Sequence, residues 1–406
     1  MIRDRLELQP WMTAAPTRAV MAALARAGGP DSARFVGGCV RDALIGRPVG
    51  DIDIATLLNP AEVTRALQAA GLRAIPTGLE HGTVTAVADH QPFEITTLRR
   101  DVETDGRRAV VAFTRDWAED AARRDFRLNA LYLDADGRLY DPVGGGVEDA
   151  LAGRIVFVGD PGTRIREDYL RILRFFRFTA WYGRGEPDEA ALAACAALKD
   201  GVAGLSGERL SKEILKLLAA PDPRRAVALM AETGVLAVAV PGATRLERFA
   251  AAVPLSSDPE ARLAALLPDD PDAVRAVAAR LRLPNAVRDR LVAAAAPPPL
   301  ALDLGDRDAR AALYRLGGAA FRDKVVKRWA ETPSRGAEAR RLLSLAEAWS
   351  RPRLPVGGAD VMALGVEAGP AVGRLIGELE AWWIGQDFVP GRAALLAELK
   401  ARVGTA

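Results

Sequence analysis

The stretch Phe35 to Thr56, FVGGCVRDALIGRPVGDIDIAT, constrains this chain more than any other. Arg34, Phe35 and Val36 read as a short buried strand running into Gly37-Gly38; a short amphipathic segment follows, then Asp51-Ile52-Asp53. Side chains on a strand alternate faces with a period of two, so a D-x-D on a strand sets both carboxylates on one face and Ile52 on the other. Two acids held together on a rigid strand repel each other unless a cation lies between them. So few fixed oxygen ligands suit Mg2+, which keeps several waters and takes further ligands from substrate phosphates. Gly37 and Gly38 let backbone N–H groups approach an anion, and Arg41 adds a charged donor nearby. A lone D-x-D also fits a solvated turn, but its union with G-G-x-x-R-D and an apolar strand favours a metal and phosphate site.

The flanking chain reads as alternating helix and strand. Residues 12–28 predict a helix stopped by Gly28-Gly29-Pro30, and Asn59-Pro60 opens another through Ala70. Thr83 to Ala88 and Phe93 to Leu98 predict a hairpin. Glu94 lies in its second run with Thr96 on the same face, a candidate third carboxylate or else a solvated edge residue. The charged segment 99–109 predicts a loop turning at Asp105-Gly106, followed by a strand to Thr114. Trp117 to Ala130 predicts one helix carrying Arg123, Arg124, Arg127 and Asn129. Asp134-Ala135-Asp136-Gly137 reads as a structural turn between two short strands.

A second constellation lies in Arg166 to Ala180, REDYLRILRFFRFTA, which predicts one helix. Asp168 and Arg171 are i,i+3 neighbours there, and Leu170, Ile172, Leu173 and Phe176 supply a core face. A surface ion pair explains this spacing too. The pair also matches a nucleobase edge: cytosine and adenine each present a donor amine beside an acceptor nitrogen, and a carboxylate beside a guanidinium presents the complement. Guanine and uracil present the reverse and leave polar groups unpaired, a mismatch that discriminates on the order of 10^4 or more.

At 406 residues the chain exceeds one ordinary core. Half of it is hydrophobic without an unbroken apolar run of membrane-spanning length, which predicts a globular chain with no membrane partner. The first segment mixes acids and bases and has no apolar core of a signal peptide. Cys39 and Cys195 have no metal or redox spacing, so a cytoplasmic location is expected. The net charge of +2 gives no argument for a nucleic-acid partner, and any such argument rests on local clusters. Beyond residue 185 the pattern is helical. Leu210, Ile214, Leu217 and Leu218 share one face, with Arg209, Lys212 and Lys216 outside. Breaks fall at Pro221-Asp222-Pro223, Pro241-Gly242, Pro297 to Pro299 and Arg351 to Gly358, and Gly369-Pro370 opens a helix towards Trp382-Trp383. The free N–H groups at that start suit an RNA phosphate, although an ordinary helix start explains them as well.

The Gly-Gly and D-x-D stretch, the R-R-D-x-x-x-N-A of Arg123 to Ala130, and the E-D-x-L-R-x-x-R-x-x-R-F of Glu167 to Phe178 together resemble the class II tRNA nucleotidyltransferases, which include CCA-adding enzymes and bacterial poly(A) polymerases. The resemblance covers roughly residues 34–218. It implies an α+β chain: a mixed-sheet head over 1–150, then an all-α neck over 151–220, body over 221–298 and tail over 299–406. It implies Asp51 and Asp53 as metal and catalytic residues, completed by Glu94, with Mg2+ as cofactor. Gly37, Gly38, Arg41, Arg124, Asp168, Arg171, Arg174 and Arg177 are the implied nucleotide-binding residues. Arg177 is the weakest of these, since each step of three lags by about 60 degrees and turns it away from Asp168. The implied activity is untemplated addition of C, C and A to tRNA from CTP and ATP, with the tail on tRNA and no DNA partner. Poly(A) polymerases of the family carry an extra basic-aromatic segment where this chain has TGLEHGTVTAV, which favours CCA addition. CC-only and A-only relatives stay open, as does a non-catalytic RNA-binding module, whose signature would be loss of Asp51 or Asp53. With only His81 and His90, the chain lacks the histidines of an appended metal phosphohydrolase domain.

Overall fold

Strand alternation in the D-x-D stretch sets the architecture of the first half. In the computed structural model, which describes residues 5–78, 82–105 and 108–404, Ile52 and Ile54 are buried on one face of a strand while Asp53 turns to the other. Helices α1 (Pro10–Thr13) and α2 (Ala15–Gly28) lead into β1 (Ala33–Val36), α3 (Gly38–Leu44), β2 (Ile52–Thr56) and α4 (Pro60–Ala69). Strands β3 (Arg73–Gly78), β4 (Thr83–Ala88) and β5 (Gln91–Thr97) follow, then β6 (Arg99–Asp105), β7 (Arg108–Phe113) and α5 (Trp117–Ala122). Strands β8 (Tyr132–Leu133) and β9 (Leu139–Tyr140) close a seven-stranded sheet of order β3-β4-β5-β2-β1-β8-β9. Strands β2 and β5 are parallel and the other pairs antiparallel, so the sheet is mixed as expected.

Helices α2 and α4 pack together on the sheet, where Leu24, Phe35, Ile54, Leu67, Phe93 and Ile95 are fully buried. Helix α4 begins with a complete capping box: Asn59 Oδ1 accepts from the Glu62 N–H at 3.0 Å, and Glu62 Oε2 accepts from the Asn59 N–H at 2.8 Å. The opposite face buries Val36, Ala55, Leu98, Ala121, Ala130 and Tyr132.

A run of helices follows: α6 (Gly146–Ala152), α7 (Pro161–Glu167), α8 (Leu170–Tyr182), α9 (Glu189–Ala197), α10 (Gly207–Leu218), α11 (Arg224–Glu232) and α12 (Val235–Ala239). Phe126, Phe157, Phe175 and Phe178 form an aromatic core between sheet and helices, with centroids 4.8 Å apart for Phe126–Phe157 and 5.1 Å for Phe126–Phe178. The expected apolar face of α10 is buried at Leu210, Ile214, Leu217 and Leu218, with Glu213 among them.

Four local expectations are corrected. The first helix begins at Pro10 and is interrupted at Ala14. The charged segment expected as a loop forms β6 and β7, paired from Arg99↔Phe113 to Asp105↔Arg108; Gly106, at the expected turn, lies outside the described residues, as does His81. The helix expected over 117–130 stops at Ala122, because Phe126 turns extended and bridges Phe157 while the Arg127 N–H donates to the Val156 carbonyl. The helix expected over 166–180 is broken at Asp168, whose carboxylate accepts the Leu170 N–H and so starts a new helix.

The chain divides into two compact units, Met1–Pro241 and Gly242–Ala406. The second is wholly helical, with one core around Leu313, Phe321, Val325 and Leu342 and another around Tyr314, Leu375, Leu379 and Trp383. The helix expected from Gly369-Pro370 spans Pro370–Gly385 and buries Trp383, whose indole N–H donates to the Pro390 carbonyl. Among the described residues no helix is long and apolar enough to cross a membrane.

Asn59→Ala removes the side-chain half of the α4 capping box, the bond from the Glu62 N–H, and keeps the backbone half. The expected loss is about 1 kcal/mol, read as a lower urea midpoint at unchanged slope.

Candidate active site

The parallel pairing of β2 with β5 sets Asp53 directly beside Glu94. Both line a cleft of about 350 Å3 together with Val36, Ile54, Thr83, Thr96, Arg99, Arg123 and Arg124. Asp51 lies one residue ahead of β2, exposed, rather than inside the strand as expected. Burial pushes the Asp53 carboxyl up, the Glu94 carboxylate pushes it further, Arg124 pulls it down and Asp51 adds to the rise, leaving it at about 6. The cluster is therefore short of positive charge even with Arg124 in place. That shortage is the property a hard cation site needs, and Mg2+ requires only one or two carboxylates beside waters and phosphates. Among the described residues no three acid, histidine or cysteine side chains form a ready-made metal cage. Asp51, Asp53 and Glu94 fit the weaker requirement.

Gly37 ends β1 with φ of +72°, the left-handed region that favours glycine, and caps α3, which begins at Gly38. A Cβ on Gly37 would lie 3.6 Å from Nη1 of Arg124, so this guanidinium sits against the Gly-Gly turn. Asp120 aims it. Its fully buried carboxylate accepts from Arg124 Nη2 at 3.1 Å, Arg123 Nη2 at 2.7 Å and the Tyr132 hydroxyl at 2.7 Å. Burial alone would raise the Asp120 carboxyl, but Arg124, Arg123 and Tyr132 outweigh it and hold it at about 2.

Arg41 turns inward. It donates to Asn129 Oδ1 at 2.6 Å, to the Tyr182 hydroxyl at 2.6 Å and to Asp42, and its guanidinium stacks on the Tyr182 ring. Asn129 donates to Asp125, which also accepts from Arg174 of α8 at 2.8 Å. Burial raises the Asp125 carboxyl, yet the Arg174 ion pair, Asn129 and the Phe126 N–H bring it below the usual range. A continuous polar chain, Tyr182–Arg41–Asn129–Asp125–Arg174, thus ties the Gly-Gly helix to α8.

Asp168 and Arg171 are close in sequence but not paired with each other. Asp168 Oδ2 accepts from Arg209 of α10 at 2.7 Å, while Arg171 donates to Glu167 and, at 2.7 Å, to the Arg164 carbonyl. Arg177 bonds Glu213 at 2.6 Å, in keeping with its outlying helical position. Helical spacing alone sets Arg209 on an outer polar face and gives no role to Asp125, Asp120, Tyr132, Tyr182 or Glu213, all of which bond within the site. Asp125 had a signal, being the acid of R-R-D; Arg209 and Glu213 had none short of knowing that α10 packs on α8.

A depressed carboxyl such as Asp120 stabilises the fold above its unfolded value near 4, and that contribution is lost as the pH falls towards 2. Asp120→Asn is expected to cost on the order of 2 kcal/mol at pH 7, with the gap to wild type closing in urea titrations taken from pH 4 to pH 2.

A family model described as the Poly A polymerase head domain matches residues 33–156, and one described as a probable RNA and SrmB-binding site of polymerase A matches residues 186–246. The chain is 34% identical over 395 residues to the mitochondrial CCA tRNA nucleotidyltransferase 1 of Mus musculus, spanning 90% of this chain and 86% of the mouse protein. It is 43% identical over 208 residues to the CCA-adding enzyme of Geobacillus sp. (strain WCH70), about half of each chain. The crystal structure of the Bacillus stearothermophilus CCA-adding enzyme in complex with CTP matches with a TM-score of 0.78 and 29% identity over 97% of this chain and 99% of that one. Motifs, mixed-sheet head and full-length similarity converge, and the chain belongs to the family of CCA tRNA nucleotidyltransferases.

Proposed function

We propose that this protein adds C, C and A to the 3′ end of tRNA from CTP and ATP without a nucleic-acid template. The observation that carries this reading is the Asp53–Glu94 rung facing Arg124 in one cleft, next to a neck bearing Asp168 and Arg171. In this reaction the 3′ oxygen of the RNA forms a bond to the α-phosphorus of the nucleotide, the bond to pyrophosphate breaks, and the hydroxyl proton is released. Asp51 and Asp53, with Glu94, would hold Mg2+, which when bound activates the hydroxyl and offsets charge on the leaving group. Arg124 and the N–H groups of the Gly37-Gly38 turn take the phosphates. Arg41 orients that turn from beneath.

Asp168 and Arg171 offer the acceptor and donor that the C and A edges require. Each is already engaged, by Arg209 and by Glu167. A base edge replaces those partners one for one, so no charge is left bare when the site empties. Arg174 and Arg177 hold α8 in place through Asp125 and Glu213 and thereby position the reading pair. We assign catalysis to the head over 1–150, base selection to the neck over 151–220, and tRNA binding by shape and backbone contact to the body over 221–298 and the tail over 299–406. Neither DNA nor a membrane enters this reading. A reducing, cytoplasmic compartment suits Cys39 and Cys195, both buried and unpaired, with the Cys39 thiol pushed up to about 12 by burial.

The test is incubation with Mg2+, CTP, ATP and a tRNA ending at its discriminator base. Three added residues, C, C and A, followed by a stop are expected, with none from the Asp51→Ala Asp53→Ala variant. A long A tail would mean a poly(A) polymerase, a halt after CC or a need for a CC end would mean a split-activity relative, and no incorporation would leave an RNA-binding module. Asp168→Asn turns one acceptor oxygen into a donor and is expected to lower the preference for C and A over U by at least about tenfold, measured from single-nucleotide incorporation rates.

A further inference from the structure

The strand order assigns opposite sides of the cleft to the two substrates. Strand β2, with Asp53, has β1 and the Gly37-Gly38 turn on one side, and β5 then β4 on the other. Arg124 sits against Gly37, so the phosphates of the nucleotide, including the leaving pyrophosphate, belong on the β1 side. Displacement at phosphorus is in line. The attacking 3′ hydroxyl therefore enters from the β5–β4 side, over Glu94, Thr96 and Thr83.

An aromatic ring stands at that entrance. Phe113 ends β7 and is 49% exposed, although it neighbours a well-packed sheet. It is the cross-strand partner of Arg99, which lines the cleft. Its ring also lies over Gly82, the residue before the cleft-lining Thr83: a Cβ on Gly82 would come within 2.8 Å of the ring. The glycine, at φ of +78°, has no side chain to hold the ring off, and about half of the phenylalanine stays open to solvent. A single-stranded RNA end is held chiefly by stacking its bases on such rings, each stack being worth about 1–3 kcal/mol.

The geometry points to Phe113 as the stacking platform for the terminal base of the RNA 3′ end, with Thr83, Thr96 and Arg99 forming the floor that leads it to Glu94 and Asp53. This site rests on the nucleotidyl transfer proposed above and adds the acceptor side to it. Nothing in the stack reads the base edge, so it accepts the discriminator base, the first added C or the second alike. That indifference is required of an enzyme whose primer end changes after each addition.

The test compares Phe113→Ala, Phe113→Leu and Phe113→Trp with wild type, using a tRNA whose 3′-terminal base is 2-aminopurine. Phe113→Ala is expected to raise the KM for tRNA about 5- to 150-fold, leave the KM for CTP unchanged, and abolish the quenching of 2-aminopurine expected on wild-type binding. Phe113→Trp should restore both readouts and Phe113→Leu neither. The proposal is overturned if Phe113→Ala behaves as wild type, if leucine restores as well as tryptophan, which would mean simple packing over Gly82, or if the KM for CTP moves instead. A wild type that adds nothing to any RNA would overturn the proposed function itself, an outcome distinct from these.

Discussion

Everything at the active end of this molecule depends on one rung of one parallel strand pair, Asp53 beside Glu94. Two carboxylates on adjacent strands are an unfavourable pair in a sheet, and burial makes them more so. The fold tolerates them because the reverse faces of the same strands, Ile52, Ile54, Phe93 and Ile95, are buried against α2 and α4 and fix the register. A slip of one residue would turn those apolar side chains to solvent and the acids into the core. Register, and with it the geometry of the acid cluster, is thus set by hydrophobic packing on the side away from the chemistry. The negative charge that remains is partly met by Arg124, itself aimed by Asp120.

The second dependence is on Asp125. A buried carboxylate is costly unless fully bonded, and here Arg174, Asn129 and the Phe126 N–H all bond it. Asn129 passes the constraint to Arg41 beneath the Gly-Gly turn, and Arg174 passes it to helix α8. The aromatic core of Phe126, Phe157, Phe175 and Phe178 supplies cohesion across the same junction, while the ion pair supplies direction. The Gly-Gly turn and helix α8 therefore share a single buried anchor.

Sequence was most informative where local pattern and chemistry coincide. The alternation of Ile52, Asp53 and Ile54, the glycine pair, the Glu94 strand and the apolar face of α10 were legible because alternation and helical spacing are properties of neighbouring residues, whereas Asp51 falls just ahead of its strand. Helix boundaries at Ala122 and Asp168 were not: the first is decided by a bridge from Phe126 to Phe157, the second by a side-chain cap that competes with helix continuation. The charge-rich segment 99–109 read as a loop because its composition gives no apolar alternation, yet its backbone pairs from Arg99↔Phe113 to Asp105↔Arg108. Partners far apart in the chain, Arg209 with Asp168 and Glu213 with Arg177, follow only from the packing of α10 on α8. The motif arginines Arg174 and Arg177, implied by the resemblance as nucleotide-site residues, bond Asp125 and Glu213 in the fold, contacts that no local pattern announces.

The central claim is that Asp53 is held against its neighbours at a cost to stability and that a divalent cation relieves it. A carboxyl whose pKa is raised destabilises the fold increasingly as the pH rises through about 6. The decisive measurement is the melting temperature of wild type and Asp53→Asn at pH 8, without and with Mg2+ and CTP. The account predicts that the variant melts above wild type when no divalent cation is present, and that Mg2+ with CTP raises the wild type but not the variant. A variant that melts below wild type without the cation, and gains as much as wild type when it is added, would contradict it.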